Sequence, residues 1–143
     1  MLLSIENYKN YFFTIFPMTQ DYKKILLDQK ARKEDRIQAA FQLENNADDA
    51  TVDALGKALL TDPSPIVRHE CAFSLGETGH PDKAAPYLLK SIATDTSIFV
   101  VHEALLALAT LGDAQHIPFI KQYLQDPRPE IAESAEIALE RLS

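Results

Sequence analysis

Apolar residues recur three and four positions apart along most of this chain, and polar or proline-containing breaks interrupt them at regular intervals. In Val52-Asp53-Ala54-Leu55-Gly56-Lys57-Ala58-Leu59-Leu60, the side chains of Val52, Leu55 and Leu59 share one helical face. Ala84-Ala85-Pro86-Tyr87-Leu88-Leu89-Lys90-Ser91-Ile92 repeats the spacing, and so does Ile117-Pro118-Phe119-Ile120-Lys121-Gln122-Tyr123-Leu124. This spacing predicts amphipathic helices; a half-buried strand would alternate apolar and polar residues instead.

Four further segments align with one another without a gap. They are Ile37-Gln38-Ala39-Ala40-Phe41-Gln42-Leu43, His69-Glu70-Cys71-Ala72-Phe73-Ser74-Leu75, His102-Glu103-Ala104-Leu105-Leu106-Ala107-Leu108 and Glu133-Ser134-Ala135-Glu136-Ile137-Ala138-Leu139. Their starts lie 32, 33 and 31 residues apart. Each follows a break: Lys33-Glu34-Asp35, Asp62-Pro63-Ser64-Pro65, Asp95-Thr96-Ser97 or Asp126-Pro127-Arg128-Pro129. Proline is tolerated where a helix starts because its missing N–H has no helical partner there, and Asp or Ser before the run can cap it. Gly79-His80-Pro81-Asp82 and Gly112-Asp113-Ala114 are short links in which glycine accepts the left-handed conformation that ends a helix.

A period of this length predicts stacked helix–turn–helix units. No unit can bury its apolar face alone, and a row of them creates one continuous core. The expected fold is all-α, an α-α superhelix (solenoid) of about four helical hairpins. Leu75, Leu108 and Leu139 share one repeat position and are assigned to the core. The small residues Ala39, Ala72, Ala104 and Ala135 let the second helices of neighbouring units approach closely.

A length of 143 residues, with 46% apolar and 24% charged residues, fits one ordered domain. The net charge is −7, and Lys23-Lys24 and Arg32-Lys33 are too short to make a basic stripe, so no nucleic-acid partner is expected. No apolar run approaches the roughly 20 residues of a membrane span. The single cysteine, Cys71, excludes an internal disulfide and reads as a buried structural thiol among small residues. Residues 1–17 include Tyr11-Phe12-Phe13-Thr14-Ile15-Phe16 but lack the basic start, long apolar stretch and cleavage site of a signal peptide. A cytoplasmic protein is expected, with a repeat domain over 18–143. The 1–17 extension is either a capping helix over Ser4 to Phe16 or a partner surface, and a start at Met18 is also open.

Candidate chemistry comes from the repeat register. At its first position the four units carry Ile37, His69, His102 and Glu133; at the second they carry Gln38, Glu70, Glu103 and Ser134. Only the two central units hold a His-Glu pair. Equivalent helices of neighbouring units pack roughly 8–10 Å apart, so His69 and His102 can meet at one metal. Histidine is the commonest metal ligand, and mixed nitrogen and carboxylate sites suit iron or manganese. Consecutive helical residues point about 100° apart, so Glu70 has to reach away from the metal of His69. A second copy of the site across an interface is implied. The ordinary alternative is a surface or capping histidine beside a common helix former, duplicated by descent. His80 and His116 lie in or beside turns and read as surface residues. The chain has no Gly-rich phosphate loop, nucleophile elbow or Cys-rich zinc spacing.

The segments Val67-Arg68-His69-Glu70-Cys71-Ala72-Phe73-Ser74-Leu75-Gly76 and Val101-His102-Glu103-Ala104-Leu105-Leu106-Ala107-Leu108 resemble the paired His-Glu helices of deoxyhypusine hydroxylase. So does the tail, Glu130-Ile131-Ala132-Glu133-Ser134-Ala135-Glu136-Ile137-Ala138-Leu139. The resemblance runs from about Asp21 to Ser143 and covers one half of the full-length family. The broader class is the HEAT-like repeat, also seen in phycobilisome lyases. The resemblance implies a non-haem di-iron monooxygenase that hydroxylates a modified lysine on a translation factor. Full-length members have two such halves, with four His-Glu pairs around two irons. Carried over, His69 and His102 would bind one metal, iron or else manganese, and Glu70 the metal held mainly by the other half. Glu103 would be the catalytic carboxylate, behind the metal or against the substrate. With one half present, a homodimer sharing its metal sites is expected, acting on a protein or another amine-bearing substrate. The other readings are a non-catalytic scaffold that binds a partner protein, and a relative of the phycobilin lyases.

Overall fold

The computed structural model describes residues 21–45 and 48–143. The extension assigned to 1–17 lies outside the described residues. Among these, eight α-helices follow one another: α1 (Tyr22–Leu27), α2 (Lys33–Leu43), α3 (Asp49–Thr61), α4 (Pro65–Glu77), α5 (Pro81–Thr94), α6 (Ile98–Thr110), α7 (Ile117–Lys121) and α8 (Pro129–Leu142). Short 3-10 turns at Ala114–His116 and Gln122–Gln125 flank α7. No strand occurs among the described residues, and none of their helices is long and apolar enough to cross a membrane. The helices pair as four hairpins, so the chain is the all-α solenoid that its period predicts.

The first helices of the hairpins form one layer and the second helices, α2, α4, α6 and α8, form the other. Packing is most extensive between α4 and α6 and between α6 and α8. Close approach follows from small side chains. Ala39, Cys71, Ala104 and Ala135 occupy one register position and are fully buried; Ala72, expected at that position, stands one residue further on and is equally buried. At Gly76 an added Cβ would lie 2.9 Å from both Cα and Cβ of Ala107, so the α4 and α6 backbones meet there. Leu75 and Leu108 are fully buried, as assigned. Leu139 is only partly buried; among the described residues α8 packs chiefly against α6 within its layer.

Gly79 and Gly112 end their helices with φ of 70° and 78°, the left-handed turn expected of them. Ser64 and Ser97 stand at helix starts but make no side-chain cap. The aspartate two residues earlier acts instead: Asp62, Asp95 and Asp126 accept from the backbone N–H of Ser64, Ser97 and Arg128, each at 2.9 Å. Two of these carboxylates also receive a guanidinium from the preceding unit. Arg36 donates to Asp62 through Nε at 2.8 Å and Nη2 at 3.1 Å, and Arg68 to Asp95 at 2.8 and 3.2 Å. Val101 occupies the equivalent position on α6, and Asp126 pairs with Arg128 of its own turn. These two pairs lock the first unit to the second and the second to the third at the edge where the second helices begin.

Candidate metal centre

The helices rise from that edge in a phase set by burial. On α4, Val67, Cys71, Ala72 and Leu75 face the core; on α6, Val101, Ala104, Leu105 and Leu108 do so. His69 and His102 are left half-buried about one turn into their helices, at the same height in the stack.

The contacts run diagonally between units. His69 Nε2 lies 3.4 Å from Glu103 Oε2, and His102 Nδ1 lies 2.6 Å from Ser134 Oγ. The first-position residue of one unit therefore meets the second-position residue of the next. Glu70 is turned into the stack, only 2% exposed. Of the four residues singled out from the sequence, His69 and Glu103 are brought together and His102 stands on the same layer beside Ser134. Glu70 is close enough for its charge to act on both His69 and Cys71.

Glu103 governs the titration of His69. Its hydrogen bond holds the imidazole above the ordinary histidine pKa, burial pulls the other way, and the charges of Glu103 and Glu70 add to the rise. Burial pushes the Cys71 thiol well up, which keeps it protonated and inert, as befits a structural cysteine. His80 is exposed at the start of α5, and His116 is 4.0 Å from Asp113 in its own turn; neither belongs to the site. Among the described residues, no three His, Cys, Asp or Glu side chains converge into a set that could hold a metal ion. One chain thus presents an imidazole–carboxylate pair and a second imidazole, a mixed nitrogen and oxygen surface open to solvent.

The surroundings are apolar. A cavity of about 330 Å³ is lined by Ile66, His69 and Phe99 among others, and its neighbour of about 270 Å³ by Phe99, His102, Ser134 and Ile137 among others. Phe99 stands between the two and is 72% exposed; Ile66 and Ile137 are exposed as well. A third cavity, of about 340 Å³, opens beside Glu103 between Phe73, Glu77, Leu106 and Arg141. Ser134 and the Arg–Asp ladder were missed from the sequence. Ser134 showed only as a departure from Glu in the aligned pairs. The ladder was visible as Arg36 and Arg68 in register with each other, and Asp62, Asp95 and Asp126 likewise.

Stacked helical hairpins locked in register, with chemistry at the seams between units, define the class. The family model for HEAT repeats matches residues 23–109 and 52–140, and the chain belongs to this family. It is 33% identical over 125 residues to deoxyhypusine hydroxylase-B of Oryza sativa subsp. japonica, covering 86% of this chain and 40% of that protein. The structure of human deoxyhypusine hydroxylase in complex with glycerol superimposes with a TM-score of 0.78 at 28% identity, over 96% of this chain and 45% of that one. The complex of CpcE and CpcF of phycocyanin lyase from Nostoc sp. PCC7120 gives a TM-score of 0.64 at 19% identity, over 100% of this chain and 66% of that one, a likeness of fold alone. The chain therefore spans less than half the length of the hydroxylases it matches.

Proposed function

We propose that this chain forms one side of a di-iron hydroxylase centre of the deoxyhypusine hydroxylase kind, acting on a lysine-derived or other amine-bearing side chain. The observation that carries the reading is the in-register pair His69 and His102, with Glu103 Oε2 3.4 Å from His69 Nε2. Imidazole nitrogen with carboxylate oxygen is the donor chemistry that iron or manganese takes, so the residues fit the group in kind. His69, His102 and Glu103 are assigned as the ligands. Glu103 replaces Glu70 in that role because it lies against His69, whereas Glu70 is buried in the stack. When bound, a pair of irons supplies activation of dioxygen for insertion into a C–H bond.

The chain's own residues supply the rest. Glu103 orients the His69 ring, Glu70 adds negative charge behind it, and Ile66, Phe99 and Ile137 keep water away from the imidazoles when their surface is covered. The covering surface is a second copy of the same face, related by a two-fold axis, which brings two half-sites together. The exposed apolar row also suits a non-catalytic scaffold, and the metal content separates the two readings.

Full-length protein purified without chelator should carry about one iron or manganese per chain, as a two-metal centre shared by two chains requires. Light scattering should report twice the chain mass of 16.0 kDa. His69→Ala, His102→Ala and Glu103→Ala should lose the metal, and His80→Ala should keep it. Equal metal content in His69→Ala and His80→Ala would refute the site. A metal-free monomer under all conditions would favour the scaffold, and loss of metal in Glu70→Gln with retention in Glu103→Ala would return the carboxylate role to Glu70.

A further inference from the structure

The two histidines differ in what the next unit offers them. His69 meets a carboxylate, whereas His102 Nδ1 meets the hydroxyl of Ser134 at 2.6 Å. That hydroxyl has a second partner: Ser134 Oγ lies 2.6 Å from the backbone carbonyl oxygen of Glu130, one turn back on α8. A carbonyl oxygen only accepts, so the single hydroxyl proton of Ser134 lies toward Glu130. Oγ is then left as an acceptor toward His102, and Nδ1 has to bring the proton. A neutral imidazole has one N–H, so Nε2 carries the free lone pair.

We propose that Ser134 is a positioning residue that fixes His102 as its Nδ1–H tautomer, making Nε2 the nitrogen available to a metal. Ser134 is buried, so bulk water does not compete for its hydroxyl. The bond to the carbonyl four residues back also locks the serine rotamer, and with it the plane of the histidine ring. In water a neutral histidine side chain prefers the proton on Nε2, which would present the other nitrogen; the hydroxyl reverses that preference. The register explains why the fourth unit departs from the His-Glu pattern. Ser134 occupies the position of Glu103 one unit on, keeps the orienting contact and omits the negative charge.

The inference rests on the proposed metal centre for its purpose but not for its measurement. Long-range proton–nitrogen spectra of the metal-free, histidine-labelled full chain, recorded above the imidazole titration range, report the tautomer directly. His102 should show a protonated Nδ1 and an unprotonated Nε2. Ser134→Ala should move the proton to Nε2, and Ser134→Thr, which keeps the hydroxyl, should hold it on Nδ1. His80 should be unchanged throughout. Alanine favours helix, so the first variant should fold, which circular dichroism checks. In titrations with Mn(II) or Fe(II), Ser134→Ala should bind about 10–100-fold more weakly and Ser134→Thr close to the unmutated affinity. A wild-type His102 protonated on Nε2, a tautomer unmoved by Ser134→Ala, or undiminished metal affinity in that variant would overturn the inference. Failure of every variant and the wild type to bind metal, with the tautomers as expected, would instead strike the proposed function.

Discussion

Arg36 and Asp62 offer the sharpest test of how the stack is held. Their side chains are 6% and 2% exposed, and two hydrogen bonds join them. The register-equivalent pair Arg68–Asp95 is 14% and 7% exposed, and the local pair Arg128–Asp126 is 40% and 12% exposed. The same chemistry therefore occurs at three depths. Arg36→Leu leaves the Asp62 carboxylate enclosed with its contact to the N–H of Ser64, and removing one partner of a buried pair costs about 3–5 kcal/mol. Arg36 also donates Nη1 to the carbonyl of Ala31, so part of that loss falls on the α1–α2 turn. Arg128→Leu, at a largely exposed pair, should cost about 0–1 kcal/mol, with Arg68→Leu in between. With a urea m value of about 1.5 kcal/mol/M, the deepest substitution shifts the unfolding midpoint down by roughly 2–3 M. Adding Asp62→Asn to Arg36→Leu removes the stranded charge and should recover part of the loss. Equal midpoint shifts for Arg36→Leu and Arg128→Leu, or no recovery in the double variant, would refute the reasoning.

Leu75→Ala and Leu108→Ala should each cost about 2–5 kcal/mol in urea unfolding, and Leu139→Ala clearly less because its side chain is only partly buried. Gly76→Ala puts a methyl group 2.9 Å from the Cα of Ala107 and should cost about 1–3 kcal/mol by forcing α4 from α6, seen as a lowered melting temperature. In metal-free protein His69 should titrate above the free-histidine value of 6.5, and Glu103→Gln should bring it back down, as proton NMR will show. Because the folded value is raised, its contribution to stability is complete below 6.5 and is lost as pH climbs through the folded pKa; an unchanged slope in Glu103→Gln would contradict this.

The repeat was legible because it is written in both apolar spacing and turn residues. Gly79, Gly112 and the prolines punctuate the same units that Leu75 and Leu108 fill, so local and global signals agree. Leu139 was assigned to the core because it aligns with them, but alignment says nothing about which unit has neighbours on both sides. Of the aspartates and serines expected to cap, the aspartates act and the serines do not, for a related reason. Ser64 and Ser97 are good cap residues taken singly, yet the aspartate two positions earlier serves both its own turn and the arginine of the preceding unit. A contact between units separated by some 30 residues has no local signature. Only the recurrence of Asp62, Asp95 and Asp126 beside Arg36 and Arg68 could have revealed it.

The step between units also decides which carboxylate stands beside His69. The sequence argument correctly parts His69 from Glu70, since consecutive helical residues diverge by about 100°. That divergence directs Glu70 to a target outside the His69–His102 site, across an interface, and leaves open which carboxylate stands beside His69. The stack supplies one from within the chain: the diagonal offset carries Glu103 of the next unit to within 3.4 Å of His69. Writing His-Glu twice in register therefore yields one histidine–carboxylate contact, between His69 and Glu103. By the same offset Glu70 faces the register position of the apolar Ile37, and His102 meets Ser134. Under the proposed metal centre a partner surface would supply additional donors, while a carboxylate beside His69 is already present in the chain. The two imidazoles also present different electrostatics to whatever binds between them, one backed by a charge and one by a neutral hydroxyl. A two-fold pairing of this face would place two such unequal pairs together, so each metal would meet one histidine of either kind from a single chain.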